Sequence, residues 1–170
     1  MERILIIGCP GAGKSTFARM LSEKTGLPLV HLDKLYWRGN WEHITRDEFD
    51  ILLQSELKKP QWIIDGNFNR TIPHRLKYAD HVFYLDMPTY LCLWGVTKRV
   101  IQHHGSTRDD MGGNCPERFD RQKPILYKSV LTFRRDHRKN YYTLLANSGV
   151  KTTVFKSRRQ MKNYLQSLIG

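Results

Sequence analysis

Ile4-Leu5-Ile6-Ile7 is a run of branched apolar side chains that stops at Gly8, and Cys9-Pro10-Gly11-Ala12-Gly13-Lys14-Ser15-Thr16 follows at once. The run has the length of a buried strand. Phe17, Met20 and Leu21 then recur at helical spacing up to Gly26, a helix-ending glycine with Pro28 beyond it. The turn between them fits GxxxxGK[ST] at Gly8, Gly13, Lys14 and Ser15. Glycines leave no Cβ in the way, so consecutive N–H groups curl into one concavity that holds phosphate oxygens. The helix beginning near Lys14 aims the positive end of its dipole at the same place. Gly8, Pro10, Gly11, Ala12, Gly13, Lys14, Ser15 and Thr16 are therefore the expected nucleotide-binding set. Lys14 is expected to reach the β- and γ-phosphates, and the Ser15 hydroxyl to ligate Mg²⁺.

The rest of the chain repeats the alternation. Leu29 to Leu32 predicts a second strand ending at Asp33, Trp62 to Ile64 a third ending at Asp65, and Val82 to Leu85 a fourth ending at Asp86. Thr45 with Glu48 is a capping box opening a helix that carries Phe49, Leu52, Leu53 and Leu57. A helix after Pro88 carries Leu91, Leu93, Trp94, Val96 and Val100. A long helix is expected from about Ile125 to Ala146, a fifth strand from Val150 to Phe155, and a closing helix from Gln160 to Leu168. Between them, about 105–123 is polar and broken by Gly112, Gly113 and Pro116, which predicts a short lid. Short apolar strands without polar alternation predict a parallel sheet covered on both faces. The fold class is α/β: a three-layer P-loop NTPase fold with a parallel five-stranded sheet, as a single domain over 1–170. Ligands of such sheets collect at the strands' carboxyl ends, where Gly8, Asp33, Asp65 and Asp86 fall.

Composition narrows the setting. Three cysteines, Cys9, Cys92 and Cys115, have no framework spacing and are expected as reduced thiols of a cytoplasmic protein. No apolar run has membrane-spanning length, and the start of the chain has no signal-peptide core. The formal net charge of +12 concentrates late in the chain and favours polyanionic partners: nucleotides first, nucleic acid second.

The phosphate loop, Trp62-Ile63-Ile64-Asp65-Gly66, His81 to Pro88 with its helix, and the short lid together resemble the adenylate-kinase branch of the P-loop kinases. Within it the chain is most similar to the bacterial group labelled topology modulation or FlaR-like proteins, through Leu32-Asp33-Lys34-Leu35-Tyr36-Trp37 and Asp65-Gly66-Asn67. The resemblance implies ATP and Mg²⁺ as cofactors, with Asp65 on the metal side through water. It also implies departures. His31 to Tyr36 replaces the Thr-Gly-Asp-x-x-Arg that holds AMP in adenylate kinases, and Asp65 to Thr71 has one residue more before Arg70. The adenine-stacking arginine falls on Gly95 and a phosphate-contacting arginine on Arg99. The resemblance thus implies that phosphate handling is kept and AMP recognition is not.

Phosphoryl transfer asks for positioning and positive charge around the moving group. Arg99, feeding the lid, and Arg108 within it are the expected catalytic arginines. Arg134 and Arg138, one helical turn apart, are expected to reach the nucleotide, and Arg135 to face solvent. Asp33 is expected either to orient or deprotonate an acceptor hydroxyl, or to pair with Lys34 or Arg38. Trp37 and Trp41 either wall the acceptor or pack the sheet, one of them being expected to pack. Arg70 is expected on the acceptor's anionic group. Asp86 is expected as a cap on the Pro88 helix rather than a metal ligand. His103, His104 and Cys115 lack the paired spacing of zinc, so Mg²⁺ is the only metal expected. The chain thus reads as a Mg·ATP-dependent kinase acting on a small acceptor, either a nucleoside, a nucleotide or another hydroxyl compound. The competing reading is a nucleotide-dependent nucleic-acid-binding regulator. Acceptor identity, ATP against GTP, and monomer against homodimer stay open.

Overall fold

Every residue of Ile4–Ile7 is inaccessible to solvent, although successive strand residues face opposite ways. The strand β1 (Arg3–Gly8) is therefore covered on both faces. A computed structural model describes residues 1–118 and 122–168 and shows how. β1 is the centre of one parallel sheet with β2 (Leu29–His31), β3 (Trp62–Asp65), β4 (His81–Leu85) and β5 (Lys151–Phe155), in the order β2-β3-β1-β4-β5. Ile4 lies opposite Ile63 on one side and His81 on the other. Order reverses beside β1, so a crevice opens at its carboxyl end, where the glycine-rich turn begins.

The helices are α1 (Lys14–Thr25), α2 (Leu32–Tyr36), α3 (Arg46–Leu57), α4 (Ile72–Leu76), α5 (Thr89–Gln102), α6 (Gln122–Phe133), α7 (Lys139–Ser148) and α8 (Arg158–Ser167). Two consecutive residues of β4 separate the layers. Phe83 packs with Phe17 of α1, Phe155 and Tyr164 of α8, with ring centroids 5.0–5.7 Å apart. Tyr84 points the other way, onto Tyr141 and Tyr142 of α7 at 5.4 and 5.5 Å. α1 stops at Gly26, whose amide donates to Ser22 O. The Thr45 box opens α3 as its spacing requires: Glu48 N donates to Thr45 Oγ1 at 3.3 Å, and Thr45 N to Glu48 Oε2 at 2.8 Å.

Three expectations change. β2 ends at His31, and Leu32 already belongs to α2, so Asp33 sits in a helix's first turn and not at a strand end. The long helix expected over 125–146 is interrupted by a π turn, Arg134–Arg138, which shifts the residues after it around the axis. Asp86 does not cap α5, whose N-cap is Pro88 with no side-chain bond. Its carboxylate instead accepts from Arg138 Nε at 3.0 and 3.1 Å and from the Tyr142 hydroxyl at 2.9 Å, tying α7 to the end of β4. The lid expected over 105–123 joins α5 to α6; its residues 119–121 lie outside the described residues.

Candidate active site

The turn after β1 closes tightly because glycine permits it. Gly11 has φ 80°, and a Cβ there would lie 2.1 Å from the carbonyl oxygen of Cys92 on α5. The converse also holds: a Cβ on Gly95 would lie 2.1 Å from Gly11 O. The phosphate loop and α5 thus touch backbone to backbone, and Gly95 is where a side chain would part them. Gly8 N donates to Asn67 Oδ1 at 3.0 Å, which ties the loop after β3 to the phosphate loop. Lys14 Nζ donates to the carbonyls of Gly8 and Cys9, at 2.9 and 3.1 Å, and so folds back over its own loop.

A cavity of about 920 Å³ opens above this turn. Pro10, Gly11, Gly13, Lys14, Ser15 and Thr16 line its floor, and Asp33, Trp37, Asp65, Arg99 and Arg108 its walls. Gly8 and Ala12 lie buried beneath. Arg70, Arg134 and Arg138 are not in the lining. Arg70 is carried outward on the turn Asn69–Thr71 and donates to both oxygens of Asp50 on α3, at 2.9 and 2.7 Å. Arg138 is spent on Asp86, and Arg134 is exposed on the π turn. The arginine that the loop after β3 uses is Arg75. It is fully buried and donates to the carbonyls of Gly66, Asn67 and Phe68. Burial pulls its guanidinium down to about 10, so it stays charged at neutral pH.

Arg99, Arg108 and Lys123 are organised by a residue that has no sequence signature. Glu117, 1% exposed, lies 3.3 Å from Arg99 Nε and 3.4 Å from Arg108 Nε, and also accepts from Lys123. The two arginine contacts are ionic but form no hydrogen bond at either Nε. Burial and the neighbouring Arg108 both press the Arg99 guanidinium below its ordinary value. Two desolvated guanidinium groups side by side favour an anion between them. Asp33 pairs with neither Lys34 nor Arg38. Burial raises its carboxyl above the ordinary value, against the pull of Arg108, with Asp65 adding to the rise. Both tryptophans reach the cavity, in edge-to-face contact at 5.5 Å. Trp41 also donates Nε1–H to Pro116 O, and Lys123 lies over its ring.

Oxygen donors converge beside the phosphate loop. Asp65 is 5% exposed, and its Oδ1 has no hydrogen-bond partner among the described residues, while Oδ2 meets His31 Nδ1 at 3.0 Å. Asp110 of the lid approaches from above. Burial raises its carboxyl, but Arg108, the Ser15 hydroxyl and His31 outweigh that and hold it below the usual range. An orphaned carboxylate oxygen on Asp65, in the lining of the cavity that Ser15 also lines, fits a divalent cation. Sequence reasoning passed over His31, Asp110, Glu117 and Asn67. Two of them left a signal: Asn67 in the Asp65-Gly66-Asn67 segment that carries the resemblance, and His31 within the expected second strand, which in the structure ends on it.

No family model matches the chain. A putative adenylate kinase from Pyrococcus furiosus is 25% identical over 167 residues, covering 89% of this chain and 87% of that protein. Another from Pyrococcus abyssi is 32% identical over 77 residues, 41% of this chain and 43% of that one. Among solved structures, shikimate kinase from Acinetobacter baumannii in complex with shikimate superposes with a TM-score of 0.57 at 17% identity, over 99% of this chain and 93% of that one. The shikimate kinase of Bacteroides thetaiotaomicron gives 0.56 at 15%, over 98% and 95%. No helix among the described residues is long and apolar enough to cross a membrane. The chain has the fold of the P-loop kinases, and its sequence likeness runs to the adenylate kinases within them.

Proposed function

We propose that this chain is a Mg·ATP-dependent phosphotransferase that moves the γ-phosphoryl group to the hydroxyl of a small acceptor: a nucleoside, a nucleotide or another hydroxyl compound. One observation carries the reading: a phosphate loop with its lysine, two largely buried arginines held by Glu117 and a carboxyl with raised pKa all face one cavity. The amides from Gly11 to Thr16 hold phosphate oxygens, and Lys14 exchanges its two carbonyl partners for them. Arg99 and Arg108 offset the charge that spreads over the moving group. Asp33 accepts the acceptor's hydroxyl proton as the oxygen bonds to phosphorus and the bond to ADP breaks. A carboxylate of raised pKa is the better base for that task. Ser15 and Asp65 would hold Mg²⁺, which supplies further neutralisation of phosphate charge. Trp37 and Trp41 wall the acceptor side. Assignment to the topology modulation group rests on Leu32 to Trp37 and Asp65 to Asn67, and says nothing of the acceptor.

ADP release should be screened over nucleosides, nucleoside monophosphates, sugars and small hydroxy acids. AMP and shikimate belong in the panel because the relatives carry those names. At least one acceptor should raise ADP release well above background, and Lys14→Ala should lower it by about 10²–10³-fold. If no acceptor accelerates release beyond slow hydrolysis, the reading fails.

A further inference from the structure

His31 and Asp65 are the last residues of two adjacent strands and lie directly opposite each other in the register. Facing residues of paired strands project from the same side of the sheet, which puts imidazole and carboxylate side by side at the carboxyl ends of β2 and β3. The lid brings Asp110 to the same point. One ligand atom from each of the three lies within 4.8 Å of the others. That approaches the roughly 4.2 Å between opposite ligands of an ion with bonds near 2.1 Å. All three side chains are more than nine-tenths buried, at 8%, 5% and 7% exposed.

Burial makes this arrangement costly as it stands. Two carboxylates at this depth repel, and an unpartnered carboxylate oxygen adds its own desolvation penalty. Arg108 answers Asp110 at 3.3 Å and His31 answers one oxygen of Asp65, yet the other oxygen of Asp65, a residue of the cavity lining, is buried with no hydrogen bond among the described residues. A cation at that point would satisfy it.

The geometry points to a protein-borne site for a first-row divalent cation, made by His31, Asp65 and Asp110 and filled without nucleotide. Donor chemistry selects the ion. Mg²⁺ takes oxygen ligands and is usually held by one or two carboxylates together with substrate phosphates. An imidazole with two carboxylates suits Mn²⁺, Co²⁺ or Zn²⁺ better. The site shares Asp65 with the phosphotransfer centre, and its use there rests on the reading of the previous section; its existence does not. Because Asp110 rides on the lid, the ion would also pin the lid to the ends of β2 and β3.

Mn²⁺ titrated into the nucleotide-free chain, with free ion followed by electron paramagnetic resonance, should show one ion bound per chain. Mg²⁺ should displace it only at concentrations at least about 10-fold higher than Zn²⁺ requires. His31→Gln and Asp110→Asn should each weaken Mn²⁺ binding by at least about 10-fold. Echo-envelope modulation of Mn²⁺ bound to the unaltered chain should carry a ¹⁴N coupling from imidazole, a readout that holds even if a variant fails to fold. Mn²⁺ that binds only when ADP or ATP is present overturns the site and leaves the phosphotransfer reading in place. Binding that survives both substitutions, or lacks the nitrogen coupling, overturns it as well. Mn²⁺ binding that follows the expected pattern in a chain that takes up no nucleotide supports the site and sinks the phosphotransfer reading instead.

Discussion

Asp33 shows how a single side chain trades stability for chemistry. Its carboxyl is raised by burial, while Arg108 and Lys14 pull it down and Asp65 and Asp110 push it up. An acid whose folded pKa exceeds its unfolded one favours the folded state below the ordinary value of 3.8, and that contribution is lost as pH rises through the folded value. Above that folded value the ionised group therefore costs stability. Asp33→Asn should raise the thermal midpoint at pH 7 while nearly abolishing acceptor-dependent ADP release. In the unaltered chain, turnover should fall on the acid side with an apparent pKa above that of an ordinary carboxylate. A thermal midpoint that drops in the variant would mean that the carboxylate is held by a bond rather than strained. Lys14 is a second case: its ammonium donates to two carbonyls of its own loop, which holds the curvature that a phosphate would take over.

At the level of elements, the contact between the phosphate loop and α5 sets the floor of the cavity. Alanine is about 1 kcal/mol better than glycine in a helix interior, so Gly95→Ala would stabilise an unpacked helix. Here the new methyl would meet Gly11 O at 2.1 Å and Gly11 C at 2.9 Å, both backbone atoms that cannot rotate away. Overpacking of that kind costs about 1–3 kcal/mol, so a net loss in urea unfolding is expected, with weaker nucleotide binding. A gain in stability would show that α5 moves freely off the loop. The same elements show what was readable in the sequence. The phosphate loop and the Thr45 box are local: their partners lie three to six residues away, and the spacing itself states the bond. His31 meets Asp65 across 34 residues, and Arg138 meets Asp86 across 52. No local pattern announces such pairs. Arg70 and Arg75 were separable only once the turn at Phe68, with φ 35°, had carried one outward and the other inward. The π turn at Arg134–Arg138 defeats a periodicity argument by construction, since it changes the period.

Across the whole molecule, the charge of +12 divides into two uses. Lys14, Lys98, Arg99, Arg108, Lys123 and Arg158 line the cavity, where the proposed reading puts small anions. Arg134, Arg135, Lys139, Arg159 and Lys162 stay exposed. A surface of that kind should retain duplex DNA at low salt, with equal affinity for unrelated sequences and a steep loss as salt rises. Sequence-selective binding that persists at physiological salt would instead favour the regulatory reading. The lid's attachment bears on traffic through the molecule. Asn40 N donates to Asn114 O at 2.8 Å, Cys115 Sγ to Arg38 O at 2.8 Å, and Cβ atoms on Gly112 or Gly113 would strike the backbone of Trp37 or Gly39. On the proposed phosphotransfer reading, a flap sewn by its main chain to the aromatic wall would lift that wall along with itself, and both products would leave through the one opening.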